Sequence, residues 1–422
     1  MRSQNPVGDP SHATHATHAT HAPSATRAEV WRYIFAGLSA SLVSIGLARF
    51  GFTPLIPELI HQHWFSTSSV IYLGAANLAG YLIGALIARP IGGRIGNQRA
   101  LRLMMLLITL TFLACAFPLS LAWYFVWRLL SGVAGGVVMV LVAGTILPHV
   151  PPASRGRASG AIFLGLGLGI AATGTLIPLL LGMGLRVTWI GLAVLSAVLS
   201  AASWFAWPPV QGHKTAAATA HPAPRHVTTA NWRIKLLFGQ YALMAASAVA
   251  PMVFLVDYIS RGLGMGTEYG ALFWVLYGVG AIVGPPLYGW VADKAGAQNG
   301  MALFSVVQVA MLVGVYQSDN HLLLGLYTLV IGMFAPGMVP LAVARVHELL
   351  PHHPVQQNLV WSRATVFSAA LMALAAYGFS ALFNLVHGQH RLMFLGAAVM
   401  VVIALLAEFA RLADPAGTRQ AA

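Results

Sequence analysis

The sequence predicts an all-α membrane protein with twelve spanning helices in two groups of six. Three observations carry that prediction. Of 422 residues, 58% are hydrophobic and only 8% are charged, and the mean hydropathy is +0.75. A soluble domain carries about 25% charged residues, so this chain lacks the polar surface that water requires. Twelve runs approach the ~20 apolar residues that cross a hydrocarbon core, and a polar stretch divides them six from six. The basic residues alternate as twelve crossings demand. With the N-terminus inside, eighteen of the 23 Lys and Arg fall in cytoplasmic segments, Arg186, Arg261 and Arg391 fall in outer loops, and Arg49 and Arg128 fall within spans. A miscounted helix would invert every later loop, so the bias places both termini in the cytoplasm. The formal net charge of +13 is then assigned to basic loops and not to nucleic-acid binding.

Residues 1–30 form a polar tail with Ala-Thr-His triplets and no apolar core of a signal peptide. Its composition reads as disordered, and His12, His15, His18 and His21 as solvated residues with no metal. The first bundle is expected over 31–207. Its first run, 32–56, contains Gly46-Leu-Ala-Arg-Phe-Gly-Phe-Thr-Pro-Leu-Ile-Pro57. Arg49 there costs at least ~2.5 kcal/mol at mid-bilayer depth and survives only if it faces protein or water. At a helical period it shares a face with Ile45, Gly46, Thr53 and Ile56. Pro54 and Pro57 weaken the helix towards its outer end and leave backbone groups in need of partners, which suits a moving gate. The next runs are 69–88, with Asn77, Gly80, Tyr81 and Gly84; 101–119, with Cys115; and 122–147, where Arg128 shares a face with Gly132 and Gly135. Runs 158–181, rich in glycine, and 187–207 complete the half. A single cysteine allows no intramolecular disulfide and no cysteine metal cluster.

A linker follows over 208–231, and a second bundle over 232–412, with a short tail at 413–422. Its runs are 234–258, with Gln240, Tyr241 and Asp257; 268–290, with Tyr277; then 300–317, 321–346, 359–384 and 391–411. Trp31, Trp123, Tyr124 and Trp204, near run ends, read as interface anchors. The halves repeat. Trp31-Arg32 matches Trp232-Arg233 at an offset of 201, while Gly80, Gly84, Arg94 and Gly96 match Gly280, Gly284, Lys294 and Gly296 at 200. Gly-xxx-Gly stripes let helices approach closely inside a membrane.

Gly289-Trp-Val-Ala-Asp293-Lys294-Ala-Gly296 resembles the loop signature of the major facilitator superfamily between helices 8 and 9. The first copy keeps Arg94 and Gly96 but has Gly93 in place of the acid. Arg128-Leu-Leu-Ser-Gly132 resembles the superfamily's fourth-helix motif, and the fifth run lacks the Gly-Pro-xx-Gly-Gly end of drug antiporters. Ala48-Arg49-Phe50 with Pro54 to Pro57, and Tyr72 to Tyr81, resemble the bacterial YbfB/YjiJ-type permeases. The resemblance implies two six-helix bundles about a pseudo-two-fold axis along the membrane normal, the major facilitator fold. Helices 1, 4, 7 and 10 then line a central cavity, and the protein sits in the bacterial inner membrane. It also implies a conformational latch made by Arg94, Gly96, Gly289, Asp293, Lys294 and Gly296.

Arg49 and Arg128 then line one cavity with no mid-membrane carboxylate, which points to an anionic small-molecule cargo bound bidentately by guanidinium. A structural strut for Arg49 and a snorkelling end for Arg128 stand as alternatives. Thr53, Asn77 and Gln240 are candidate cargo contacts. Glu58 and Asp257 are candidates for an outer gate or coupling, against solvated helix ends. Protons stay one open choice of coupling ion, because no acid is centred in a run. The expected function is secondary active transport of a small organic anion by alternating access. Export of amphipathic or drug-like compounds through a cavity with Phe52, Met139, Phe254, Met333 and Phe334 is a second reading, and a non-transporting sensor or scaffold a third. No cofactor or metal is expected, and no nucleophile sits beside a base, so an enzyme is not expected.

Overall fold

The computed structural model describes residues 26–151, 154–209, 232–351 and 353–412. The expectations for the histidine-rich tail, the linker beyond Pro209 and the C-terminal tail lie outside these residues. Every regular element described is helical, and twelve are long and apolar enough to cross a membrane. They are α1 (Arg27–His61), α2 (Thr67–Ile95), α3 (Asn97–Cys115), α4 (Leu121–His149), α5 (Arg155–Leu181), α6 (Leu185–Ser203), α7 (Trp232–Gly262), α8 (Gly266–Ala295), α9 (Ala297–Gln317) and α10 (His321–Leu349), then α11 (Pro354–Leu385) and α12 (His390–Leu412).

Local chemistry sets the helix ends. Thr26 and Glu29 form a capping box at the start of α1, and Ser66, Ser120 and Asn320 cap α2, α4 and α10 through side-chain oxygens. Gly96 and Gly296 turn α2 into α3 and α8 into α9 at φ +86° and +83°, a conformation that glycine adopts without steric cost.

Glycine stripes bring the helix axes together. Gly80 and Gly84 lie against the α4 backbone at Leu129 and Val133, and Gly132 lies against the Asn77 carbonyl of α2. The second half repeats this at the same offset: Gly280 and Gly284 face Leu329 and Met333 of α10, and Gly332 faces the Tyr277 carbonyl. Close backbone approach replaces the missing hydrophobic drive between helices in lipid. A side chain at any of these points meets backbone, which cannot yield. Gly280→Val is therefore expected to cost about 1–3 kcal/mol or more, read as a lowered melting temperature in detergent, whereas Gly289→Ala, which points into open space, should leave melting unchanged.

The first helix departs from the expected period. α1 is α-helical to Ser41, a π-helix over Leu42–Leu47, and a 3₁₀-helix over Phe50–Leu55 before it resumes at Ile56. The break begins a full turn or more upstream of the prolines. Gly46 sits against the Gly169 backbone of α5, and this tight approach lies in the π segment. Pro54 and Pro57 then each remove a backbone donor. α7 is interrupted similarly, as Trp232–Ser247, Val249–Asp257 and a π turn over Tyr258–Gly262.

The halves α1–α6 and α7–α12 meet along α5 with α8 and α2 with α11, and where the 3₁₀ segment of α1 touches Val249–Asp257 of α7. Thr53 bonds Met252, the Trp274 indole N–H donates to Thr173 Oγ1, and the rings of Tyr72 and Tyr377 lie 6.3 Å apart. These contacts lie towards the end of the molecule away from Gly96 and Gly296. Tyr124 is not an interface anchor. It is fully buried against Phe65 and Trp189, and its hydroxyl donates to the Cys115 carbonyl. Trp31 is exposed, as an anchor should be, and Trp204 carries the guanidinium of Arg102 over its ring.

Candidate functional site

The broken part of α1 builds a pocket between the halves. Arg49 ends the two-residue step between the π and 3₁₀ segments, and its side chain lines the pocket. Its guanidinium carbon lies 5.2 Å from the ring centre of Tyr81 on α2 and 5.6 Å from that of Phe50. Its one polar contact among the described residues is Nη2 to the Met252 thioether at 3.8 Å, and Nε is buried without a partner. A thioether is a weak acceptor. No ion pair among the described residues includes Arg49 or Arg128.

Arg128, on α4, is 2% exposed, so it does not snorkel. Its Nη1 donates to the Ala48 carbonyl at 2.9 Å, in the step just before Arg49, and its guanidinium covers the Phe52 ring at 4.3 Å. Arg128 therefore supports the break in α1. Asn77 Nδ2 reaches the Arg128 carbonyl at 3.4 Å and Ser131 Oγ at 3.3 Å, which ties α2 to α4 behind it. Thr53 Oγ1 donates to the Met252 carbonyl at 2.5 Å and closes the space from the other side. The pocket is lined by both arginines, Thr53, Asn77, Phe52 and Met252 among others. Two cations and two phenylalanine rings line it, with no acid among the lining residues.

Gln240 is elsewhere. It is buried, and its amide donates to the Ala404 carbonyl of α12 at 3.3 Å. Glu58 accepts from Gln62 Nε2 at 2.6 Å and lies 3.5 Å from His61, near the far end of α1. Asp257 does not sit at a solvated end. Its side chain has no exposure and is held by Arg261 at 2.5 and 2.7 Å and by His390 Nε2 of α12 at 2.6 Å.

The loop residues divide by role. Gly96 and Gly296 are the turns described above. Arg94, Asp293 and Lys294 are exposed, so the acid of the motif is not the one that anchors the loop. Glu348 on α10 anchors it instead: Oε1 accepts the Ala297 amide at the start of α9 at 2.7 Å, and Oε2 pairs with Arg345 at 2.8 Å. A carboxylate at a helix N-terminus meets both free amides and the positive dipole end. The first half has Pro148 at the matching offset of 200, so this anchor has no counterpart there. Met252, Glu348 and His390 carried no signal in the sequence, since each depends on a partner 50 or more residues away.

A family model described as "Uncharacterised MFS-type transporter YbfB" matches residues 41–408. A probable transporter of Streptomyces coelicolor is 27% identical over 250 residues, 58% of this chain and 57% of that one, so the chain spans little more than half of that relative's length. A gallate transporter of Pseudomonas putida is 25% identical over 337 residues, covering 68% of this chain and 74% of the relative. A chloramphenicol resistance protein of Streptomyces lividans is 25% identical over 292 residues, covering 66% and 70%. The structure of a D-xylose-proton symporter aligns with a TM-score of 0.72 at 15% identity, covering 90% of this chain and 97% of that one, which shows a shared fold.

Proposed function

The chain belongs to the YbfB-type family of major facilitator superfamily transporters, and from that premise we propose that its cargo is a small organic anion carried across the bacterial inner membrane by alternating access. Family and fold are those of transporters of small solutes and not of enzymes. One observation supports the anion above the others: the Arg49 guanidinium faces the pocket between the halves with a thioether and two rings for company. A buried cation without a counter-charge is costly, and an anionic cargo supplies the counter-charge. The aromatic lining favours a carboxylate on a flat or apolar body, and the relative named for gallate transport agrees with that chemistry. The relative named for chloramphenicol resistance favours export of a neutral amphipathic compound through the same pocket. Proteoliposomes preloaded with unlabelled gallate or benzoate, then given the labelled acid, decide between them. Counterflow of either acid is the expected result. Movement of chloramphenicol with no counterflow of any carboxylate would replace the anion by the second reading.

The basic bias of the loops supports termini on the cytoplasmic side. On that orientation the contacts among Thr53, Met252, Tyr72 and Tyr377 seal the outer side, and the conformation is inward-facing. The loop after α8 is the latch of the reverse movement, and Glu348 carries it in place of the exposed Asp293. Glu348→Gln is expected to slow turnover at least several-fold while the anion still raises the melting temperature by the wild-type amount. Normal turnover in that variant, alongside slow turnover in Asp293→Asn, would return the role to Asp293.

A further inference from the structure

The pocket leaves unused the buried acid at the far end of α7. Asp257 has a fully buried side chain and two partners of different kinds. Arg261, four residues on, is a permanent cation that donates to both carboxylate oxygens. His390 comes from α12, 133 residues away, and its Nε2 lies 2.6 Å from Asp257 Oδ2. An ionised carboxylate only accepts, so Nε2 carries the hydrogen and Nδ1 is the nitrogen free to take a proton. Nδ1 lies beside Gly262, an exposed residue, and a side-chain carbon there would press against it at 3.1 Å. No side-chain carbon at position 262 covers that nitrogen, and the His390 side chain keeps 11% exposure.

The position of the pair gives this a consequence. Val249–Asp257 is a separate helical segment bounded by a break at Ala248 and a π turn from Tyr258. It carries Met252, which contacts both Arg49 and Thr53, and it ends in Asp257. One nine-residue segment therefore seals the cargo pocket through its middle and is clasped to α12 through its end. We propose that Asp257 and His390 form a proton-binding site in which a proton taken up at His390 Nδ1 tightens the clasp and favours the closed far end. Nothing else changes hands: Nε2 keeps its hydrogen towards Asp257, and the imidazolium adds a full charge to a hydrogen bond already made. The bond is already charge-assisted through the ionised Asp257; the second charge makes it an ion pair, and imidazole is the side chain whose ordinary charge change falls between pH 5 and 8.

Other charged groups surround the pair. Tyr258 bonds Arg391, which pairs with Asp319. Glu58 and His61 lie on the part of α1 that packs against the segment, and Glu268 lies at the start of α8, which packs on the π turn. His61, His321 and His387 are further exposed histidines. The test must therefore isolate His390, and it needs no cargo, so its outcome is independent of the anion reading. Spin labels go on cysteines placed at Thr67 and Leu385, at the far ends of α2 and α11 and outside the seal, in a Cys115→Ser background, Cys115 being the chain's one cysteine. The short-distance population across the far end is expected to rise at least threefold as the pH falls from about 8.5 to 5.5. His390→Gln should flatten that response with the other histidines still present, and His390→Arg, a permanent cation, should hold the short distance at both pH values. An undiminished pH response in folded His390→Gln protein, or a His390→Arg protein that opens and closes with pH like the parent, overturns the proposal.

Discussion

Arg49→Gln is expected to abolish the stabilisation that gallate or benzoate gives the purified protein and, at the same time, to raise the melting temperature of the unliganded protein. The two effects have one cause. In the empty pocket the guanidinium has no carboxylate, its Nε is without a partner, and Nη2 meets a sulfur. Removing such a charge relieves a desolvation cost, on the order of 1 kcal/mol of apparent stability after side-chain repacking. With an anion bound, the same guanidinium makes charge-assisted bonds, and truncation of one partner of a buried charged pair costs about 2–5 kcal/mol. That is on the order of 30-fold or more in Kd. A thermal-shift titration on both proteins reads both signs. A strut would behave oppositely: Arg49→Gln would melt lower and keep its response to anions. Arg49→Lys separates charge from geometry, because an ammonium keeps the charge but not the planar fork, and it should retain weak anion binding.

The twelve spans were legible because each needs only its own composition, and the bilayer reads composition. Gly80, Gly84, Gly280 and Gly284 were legible as a repeat, and Arg49 as an anomaly in an apolar run, for the same reason. The finer placement was not. Helical periodicity put Arg49 and Thr53 on one face of a continuous helix, yet the two reach the pocket through a π-to-3₁₀ transition that begins at Leu42. That break is set where Gly46 meets Gly169 and Ala48 meets Arg128, contacts between distant segments. Gln240 had the right chemistry for a cargo contact but turns to the backbone of α12, and no residue near it in sequence reports that orientation. Asp257 had a visible partner in Arg261 at i+4, and its second partner, His390, appears only once α7 and α12 are packed together.

Arg128 tests whether the two cations do the same work. Both line the pocket and both bury an Nε without a partner, but Arg128 already has a backbone acceptor, the Ala48 carbonyl, and lies over the face of Phe52 before any cargo arrives. Arg128→Met keeps much of the side-chain volume and removes the donor. The Ala48 carbonyl then loses its side-chain partner in the step between the π and 3₁₀ segments of α1, and a buried acceptor left unmade costs about 1–3 kcal/mol. The step itself should relax towards regular helix, which turns Arg49 away from Met252 and the pocket. Arg128→Met is therefore expected to melt lower, not higher, than the parent and to lose affinity for all carboxylates by a similar factor, since it aims the receptor and does not discriminate among ligands. Arg128→Lys can still reach the carbonyl and should recover most of the melting temperature and part of the anion response. The opposite signs of the melting shift for Arg49→Gln and Arg128→Met separate a cargo-facing cation from one that holds the backbone behind it. Two shifts of the same upward sign would instead make both arginines equal parts of one anion receptor.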